Sequence, residues 1–312
     1  MRIKRFFAGT VVVVLLLVVA LSIPSFGQTN PTSRLRYAQV ANGLLGNNAT
    51  YVTTLLVSNI NNFTVYGYID SFDHDNPANP MGLGFTTNCT VDLFTAIFTI
   101  PRYSSCLFTS SGSGTLKTGW LRVTESDTQG NQLADWIGGY LAYTLWQGNQ
   151  FTGYPISTVG VSPTPIYDQF SIPVIRNAST NTDIGFAIVN PFGSGGSVTM
   201  NAQLVDTNGT IVEQHDITLN ELEHNAKFLS EIFTTLTSAN SFVGTLYLTA
   251  YLSGDGVIAT ALMRQGDQYG GAPLTTMSVL AAKQANASTM REDGGMVRER
   301  EKISSVPGPA VF

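Results

Sequence analysis

The chain has 312 residues, of which 43% are hydrophobic and only 12% charged, with a net charge of −5. That length suits about two domains of the usual ~150 residues, and the hydrophobic content argues against a disordered main body. Residues 28–285 hold nine of the 16 basic groups and seventeen of the 21 acidic ones. A body this acidic disfavours nucleic-acid binding, which needs a basic face to neutralise phosphates.

Arg2, Lys4 and Arg5 precede an apolar run over residues 6–21, and Ser25 and Gly27 supply the small residues of a cleavage site. This predicts a secretory signal peptide over 1–27, cleaved after Gly27. The alternative is an uncleaved anchor, although the run is shorter than the ~20 residues that span a bilayer. No later stretch is long and apolar enough to cross a membrane, so membrane contact is expected only through this segment.

Short β-branched and aromatic runs separated by Asn, Gly and Pro then predict strands. A first module over 37–160 has strands at 37–46, 51–60, 63–72, 91–101, 105–109, 119–125 and 139–146, with a polar excursion at 73–90. Residues 151–166, with Pro155, Pro163 and Pro165, read as a closing strand and a stiff linker. A second module over 166–283 has strands at 167–175, 184–190, 197–206, 210–219, 226–229, 244–252 and 257–265. Asp206–Thr–Asn–Gly209 and Gly254–Asp–Gly256 are hairpin signals. Residues 230–236 suit one helical turn capped by Ser230, with Glu231 near its positive start. Residues 286–312 carry mixed charge without periodicity and read as a disordered tail.

The two modules match in order: Tyr37–Val40 with Tyr167–Phe170, Leu55–Asn59 with Phe186–Asn190, Phe98–Pro101 with Ile217–Asn220, Cys106–Phe108 with Lys227–Leu229, and Gly119–Thr124 with Gly244–Thr249. Gln147-Gly148 matches Gln265-Gly266, which sets Leu141, Tyr143 and Leu145 opposite Ala259, Ala261 and Met263. Length differences fall in polar loops, which points to an internal duplication. Period-two alternation with one apolar face predicts half-buried antiparallel strands. The expected fold is all-β: two tandem antiparallel β-sandwich modules, each with its own core.

Several features of the second module carry a resemblance. Val189-Asn190-Pro191, the turn at 206–209, the Phe-Leu-Ser-Glu-Ile-Phe run at 228–233, Phe242-x-Gly-Thr-Leu and the final Val-Ile-Ala-Thr-Ala-Leu at 257–262 stand in this order. The stretch 37–266 thereby resembles the tandem β-sandwich repeats, immunoglobulin-like or fibronectin-like, of exported bacterial proteins. The resemblance implies a location at or outside the cell envelope and no particular activity. The first copy departs from it, with Arg102-Tyr-Ser-Ser105 in place of the helical run.

Cys89 and Cys106 are the only cysteines. In an oxidising compartment they are expected to form a disulfide, the alternative being two buried thiols. Asp70, Asp73, His74, Asp75 and Asn76 form an oxygen-rich loop, but it lacks the glycine and distal glutamate of a calcium loop. They read as solvated turn residues, and no metal or other cofactor is expected. His74, His215 and His224 match no catalytic motif. The glycine-rich stretches 112–114 and 193–196 lack a following helix for phosphate. Glu221/Glu223 and Asp127/Asp135 suit glycoside chemistry only if folding sets such a pair ~5–9 Å apart.

The aromatics are the best binding lead. Trp120 lies on the polar face of its strand, with Trp136 and Trp146 nearby in sequence. Exposed aromatic faces stack on sugars or anchor protein partners. Alternatively, Trp120 covers the second sheet or packs against the second module. The sequence points to a non-catalytic structural or adhesive component, secreted, periplasmic or at the cell surface, with an envelope or extracellular protein or glycan as partner. The other readings are a carbohydrate-binding module using the tryptophans, and a hydrolase with an unrecognised site.

Overall fold

The structure, a computed structural model, describes residues 34–284 apart from 47, 93, 132–136, 194–195, 253–254, 267–273 and 278, together with Ile303–Ser304. The expected signal peptide lies outside the described residues, as does the expected tail except for those two. Among the described residues no helix is long and apolar enough to cross a membrane.

The first half contains β1 (Arg34–Leu44), β2 (Ala49–Asn59), β3 (Val65–Asp73), β4 (Phe85–Thr87), β5 (Thr90–Asp92), β6 (Ile97–Ile100), β7 (Ser104–Thr109), β8 (Lys117–Ser126), β9 (Ile137–Gln147) and β10 (Tyr154–Val161). The second contains β11 (Tyr167–Asn177), β12 (Asp183–Val189), β13 (Val198–Asp206), β14 (Ile211–Leu219), β15 (His224–Phe228), β16 (Ser241–Ala250), β17 (Ile258–Arg264), β18 (Leu274–Met277) and β19 (Leu280–Gln284). Finally β20 (Ile303–Ser304) lies parallel to β4. All other pairs are antiparallel, as the alternating apolar pattern implies.

In the first half, one layer runs β10-β9-β2-β7-β4 and the other β1-β8-β3-β6-β5. The layers join where the end of β1 pairs with β2 at Gly43 and Leu44. Leu35, Tyr37, Leu55, Phe98, Phe108 and Leu121 are fully buried between them. In the second half, β14-β13-β16-β11-β19 faces β15-β12-β17-β18. Phe170, Phe186, Met200, Leu246 and Leu248 fill that core. On β16, Leu246 and Leu248 are buried while Tyr247 and Thr249 are exposed, the alternation read in the sequence.

The halves share one pairing scheme. The layer β1-β8-β3-β6 has its counterpart in β11-β16-β13-β14, and β10-β9-β2-β7 in β18-β17-β12-β15. One side-chain clasp recurs as well. Asn59 is buried at the end of β2 and donates through Nδ2 to the Ile100 carbonyl at 3.2 Å, while its Oδ1 accepts from Asn61 N. Asn190, just past β12, donates to the Leu219 carbonyl at 3.2 Å and accepts from Phe192 N. Each asparagine ties the end of a strand in one layer to the end of a strand in the other.

Three sequence expectations change. The stretch 242–266 is not a hairpin, because β16 pairs with β11 and β13 whereas β17 pairs with β12 and β18. The chain crosses between layers there, as it does between β8 and β9. An apolar face of period two fits either sheet, so alternation could not decide.

Secondly, three sequence matches are out of register. Tyr37 pairs with Leu121 and Ile172 with Leu246, so Ile172, not Tyr167, is the counterpart of Tyr37. Cys106 pairs with Val57 and Asn225 with Ile188, so the counterpart of Cys106–Phe108 starts at Asn225. Tyr140 pairs with Leu56 and Thr260 with Ala187, which moves Leu141 opposite Ala261. Alternating strands match themselves when slid by two residues, and β1 carries a register shift between Tyr37 and Val40.

Thirdly, Ser230 does not cap the helical run, which is a 3-10 turn at Leu229–Glu231 followed by α1 (Thr234–Ser238). The Glu213 carboxylate holds the start of α1 instead, accepting from Thr234 N at 2.9 Å and Thr235 N at 2.7 Å. The polar excursion also contains β4, which the sequence did not signal, and the strand expected over 91–101 is split into β5 and β6.

Candidate functional site

The outer face of one layer in each sandwich is buried against the other sandwich. Ala38, Phe72 and Trp120 from the first half pack with Ala187, Val189, Leu222 and Ile258 from the second, and with Ile166 of the linker. The linker is held to β1 by Thr164 N donating to Arg36 O at 2.9 Å. Trp120 is fully buried and stacks on Phe72 at 3.9 Å with an 8° interplanar angle. Its indole Nε1 donates to the Leu222 carbonyl at 3.0 Å. Leu222 holds φ +60°, a left-handed conformation costly for a bulky side chain, and burial within the joint secures it. Arg122 lies over the other ring of this pair, 5.4 Å from the Phe72 centroid, and pairs with Asp70 at 2.9 Å.

A polar clasp flanks the aromatic pair. His224 is buried, and its Nε2 meets Gln39 Oε1 at 2.9 Å while its Nδ1 meets His74 Nδ1 at 3.0 Å. Burial first, and the neighbouring His74 second, lower the His224 pKa to about 3. The neutral ring therefore donates through Nε2 to the Gln39 carbonyl oxygen and accepts at Nδ1 from His74.

Beside this clasp a cleft of about 490 Å³ separates the two sandwiches. The second sandwich contributes Gly185, Leu262 and Phe228, with Arg264 over the Phe228 ring at 4.1 Å. Arg264 also lies 3.8 Å from Asp183, and Glu231 accepts from Phe228 N at 2.7 Å. The first sandwich contributes Tyr51 and Tyr143, edge to face at 6.0 Å. Tyr143 is 2% exposed, and its hydroxyl has no hydrogen-bond partner among the described residues. Burial, then the neighbouring Tyr51, raise its pKa, so the hydroxyl keeps its proton. Of the charged side chains that line the cleft, Lys227 and Glu231 are of opposite sign, and Arg264 is offset by the buried Asp183 behind it.

This geometry removes Trp120 from the candidate binding residues, because the face that looked exposed is covered by the second sandwich. Trp146 is half-buried on β9, on the opposite side of the first sandwich from Trp120. Trp136 and Asp135 lie outside the described residues. The tryptophans therefore do not form one cluster.

Cys89 and Cys106 are disulfide-bonded, with 5.5 Å between their Cα atoms, and pin the bend after β4 to β7. The acidic loop is not a solvated turn throughout. Asp70 and Asp73 are buried and paired with Arg122 and Lys117, the latter at 2.9 Å. Among the described residues no three His, Cys, Asp or Glu side chains converge as metal ligands. Glu221 accepts from Gly196 N and Glu223 from Asn220 N, so both brace loops. His215 bonds Glu213 at 2.8 Å beside α1. Sequence reading missed Tyr51, Tyr143, Phe228 and Arg264 as a group, because they come from both halves. The alternative reading of Trp120, packing against the second module, was the signal of the joint beside them, and the structure bears it out.

No protein-family model matches this chain, and no curated protein matches it. Among solved structures it is similar to the pilus backbone (RrgB) of Streptococcus pneumoniae, at 10% identity over 80% of this chain and 82% of that one, with a TM-score of 0.17. It is also similar to a lectin from Pleurotus ostreatus in complex with GalNAc, at 9% identity over 84% of this chain and 80% of that one, with a TM-score of 0.17. A superposition this loose transfers no residue and no role.

Proposed function

We propose that this protein is an exported, non-catalytic structural or adhesive component of the cell envelope or extracellular space. In this reading it is one β-sandwich module duplicated and then docked into a single stiff body. The observation that carries it is the joint. A buried tryptophan, its stacked phenylalanine and a histidine clasp hold the two sandwiches together where a flexible linker would allow hinge motion. The disulfide within the first sandwich fits an oxidising compartment. An epitope tag placed after the described strands should be reached by antibody added outside intact cells, and the purified chain should turn over no glycoside, ester or peptide substrate. Intracellular retention or measurable hydrolysis defeats the proposal.

The cleft supports a second reading, binding of a small neutral saccharide. Its charges cancel, which favours an uncharged ligand. It combines aromatic and apolar surface with a buried tyrosine hydroxyl that lacks a partner, suited to a molecule with apolar ring faces and hydroxyl groups. A glycan array followed by calorimetry with the best hit tests it. Binding that survives Tyr143→Phe unchanged removes the cleft as the site.

A further inference from the structure

The docking between the two sandwiches is not two-fold. It joins the outer face of the β1-β8-β3 layer of the first sandwich to the outer face of the β15-β12-β17 layer of the second. Because both sandwiches share one pairing scheme, each type of face occurs twice in the chain. One copy of each type is used in the joint, and among the described residues the other copy of each is not covered by a sandwich.

The free counterpart of the second sandwich's docking face lies on β2 and β7. Leu56 pairs with Leu107 as Ala187 pairs with Ala226, so Leu56 and Leu107 occupy the positions of those two alanines. Tyr103 donates its N–H to Asn61 O as Leu222 does to Phe192 O, and both residues have positive φ, so Tyr103 occupies the position of Leu222. At the joint Ala187 and Leu222 are each 3% exposed; at the free face Leu56 is 38%, Leu107 42% and Tyr103 71% exposed. Ile60, just beyond β2, is 59% exposed and extends the patch.

The free counterpart of the first sandwich's docking face lies on β11, β16 and β13. Phe72 pairs with Trp120 as Val205 pairs with Thr245, so Thr245 stands where Trp120 does and Val205 where Phe72 does. Beside them Ile175 pairs with Val243, and Ile175, Val243 and Tyr247 are 39%, 59% and 41% exposed. At the first face the exposed Leu56 and Tyr103 thus hold positions whose counterparts, Ala187 and Leu222, are buried in the internal joint. At the second, Val205 and Thr245 hold the joint positions half-exposed, and Ile175, Val243 and Tyr247 add apolar surface beside them, where the first sandwich has Ala41, Thr118 and Arg122.

We propose that these two faces bind each other between copies of this chain, repeating the internal docking head to tail. The partner is a second copy, since the chain contains both halves of the contact and its own joint demonstrates how they fit. The contact is heterologous, so it adds copies without closing on a pair. It is weaker than the internal joint, because Thr245 and Val205 offer no stacked aromatic pair and no indole donor, and because the linker no longer holds the faces together.

Sedimentation analysis of the secreted form across a concentration series tests this. The weight-average mass should rise steadily past that of a dimer at millimolar concentration. Leu107→Asp and Val243→Asp place a charge on exposed positions of the two faces and should leave the circular dichroism and melting temperature intact. Each variant alone should remain monomeric. An equimolar mixture should form a one-to-one pair and nothing larger, because each variant keeps one intact face. A wild-type chain that stays monomeric, an assembly that stops at the dimer, or variants that do not pair when mixed would each overturn the proposal.

Discussion

Asn59 and Asn190 do the same work in the two sandwiches, and each is buried with its amide spent on backbone groups of the opposite layer. Replacing either by alanine strands a buried carbonyl, and the expected loss is about 2 kcal/mol in urea unfolding. A neutral effect at either site would mean that the clasp is incidental. His224 sets the response to acid. Its folded-state pKa of about 3 lies below the ordinary ~6.5 of the unfolded chain. Between those values the unfolded state binds the extra proton, so stability is retained above the unfolded value and falls as pH falls. The contribution is at most about 1.4 kcal/mol per pH unit. His224→Gln should flatten the stability profile across that window, and a parallel profile would assign the acid sensitivity elsewhere.

Among the elements, the segment between β4 and β7 is closed by the disulfide, and α1 is held at its start by one side chain. The disulfide closes a loop of sequence separation 17 that carries β5 and β6. Reducing it, or replacing both cysteines by serine, should cost about 3 kcal/mol, read as a lower denaturant midpoint. The helix α1 is five residues long and cannot persist by propensity. Glu213 holds its first turn, and hydrogen bonds from Thr235, His215 and Thr234 keep the carboxyl ionised down to about 2 although burial opposes them. Glu213→Ala should expose the amides of Thr234 and Thr235 to faster hydrogen exchange, with protection in β14 outside residue 213 unchanged.

The whole molecule is governed by the joint. Trp120→Ala removes the stacked ring and leaves the carbonyl of strained Leu222 without its donor. The expected cost is about 3–5 kcal/mol, most of it in coupling between the sandwiches. Calorimetry of the wild type should show one cooperative transition, and the variant should show two. A single transition in both would mean that the sandwiches are coupled elsewhere.

Much of this protein was legible in the amino-acid order. Period-two patterns around Leu121, Leu246 and Leu248 determined the strands and which face of each was apolar. Composition and period-two patterning pointed to the all-β class, and Cys89 and Cys106, as the only pair, made a disulfide the expected outcome, with the structure deciding it over two buried thiols. Pattern could not say which layer a strand joins, because an apolar face packs equally well in either. For that reason the stretch 242–266 looked like one hairpin and proved to be two strands of opposite layers. It also could not fix the register of matching strands, since alternation repeats every two residues. Only the tertiary structure decided what covers the far side of a strand. Trp120 and Thr245 hold equivalent positions, yet one is sealed against a neighbouring sandwich and the other lies at the free end of the molecule. Burial is a property of what packs on a residue, and for Trp120 that surface comes from Ala187, Leu222 and Ile258, whose meeting with it depends on how two finished sandwiches dock.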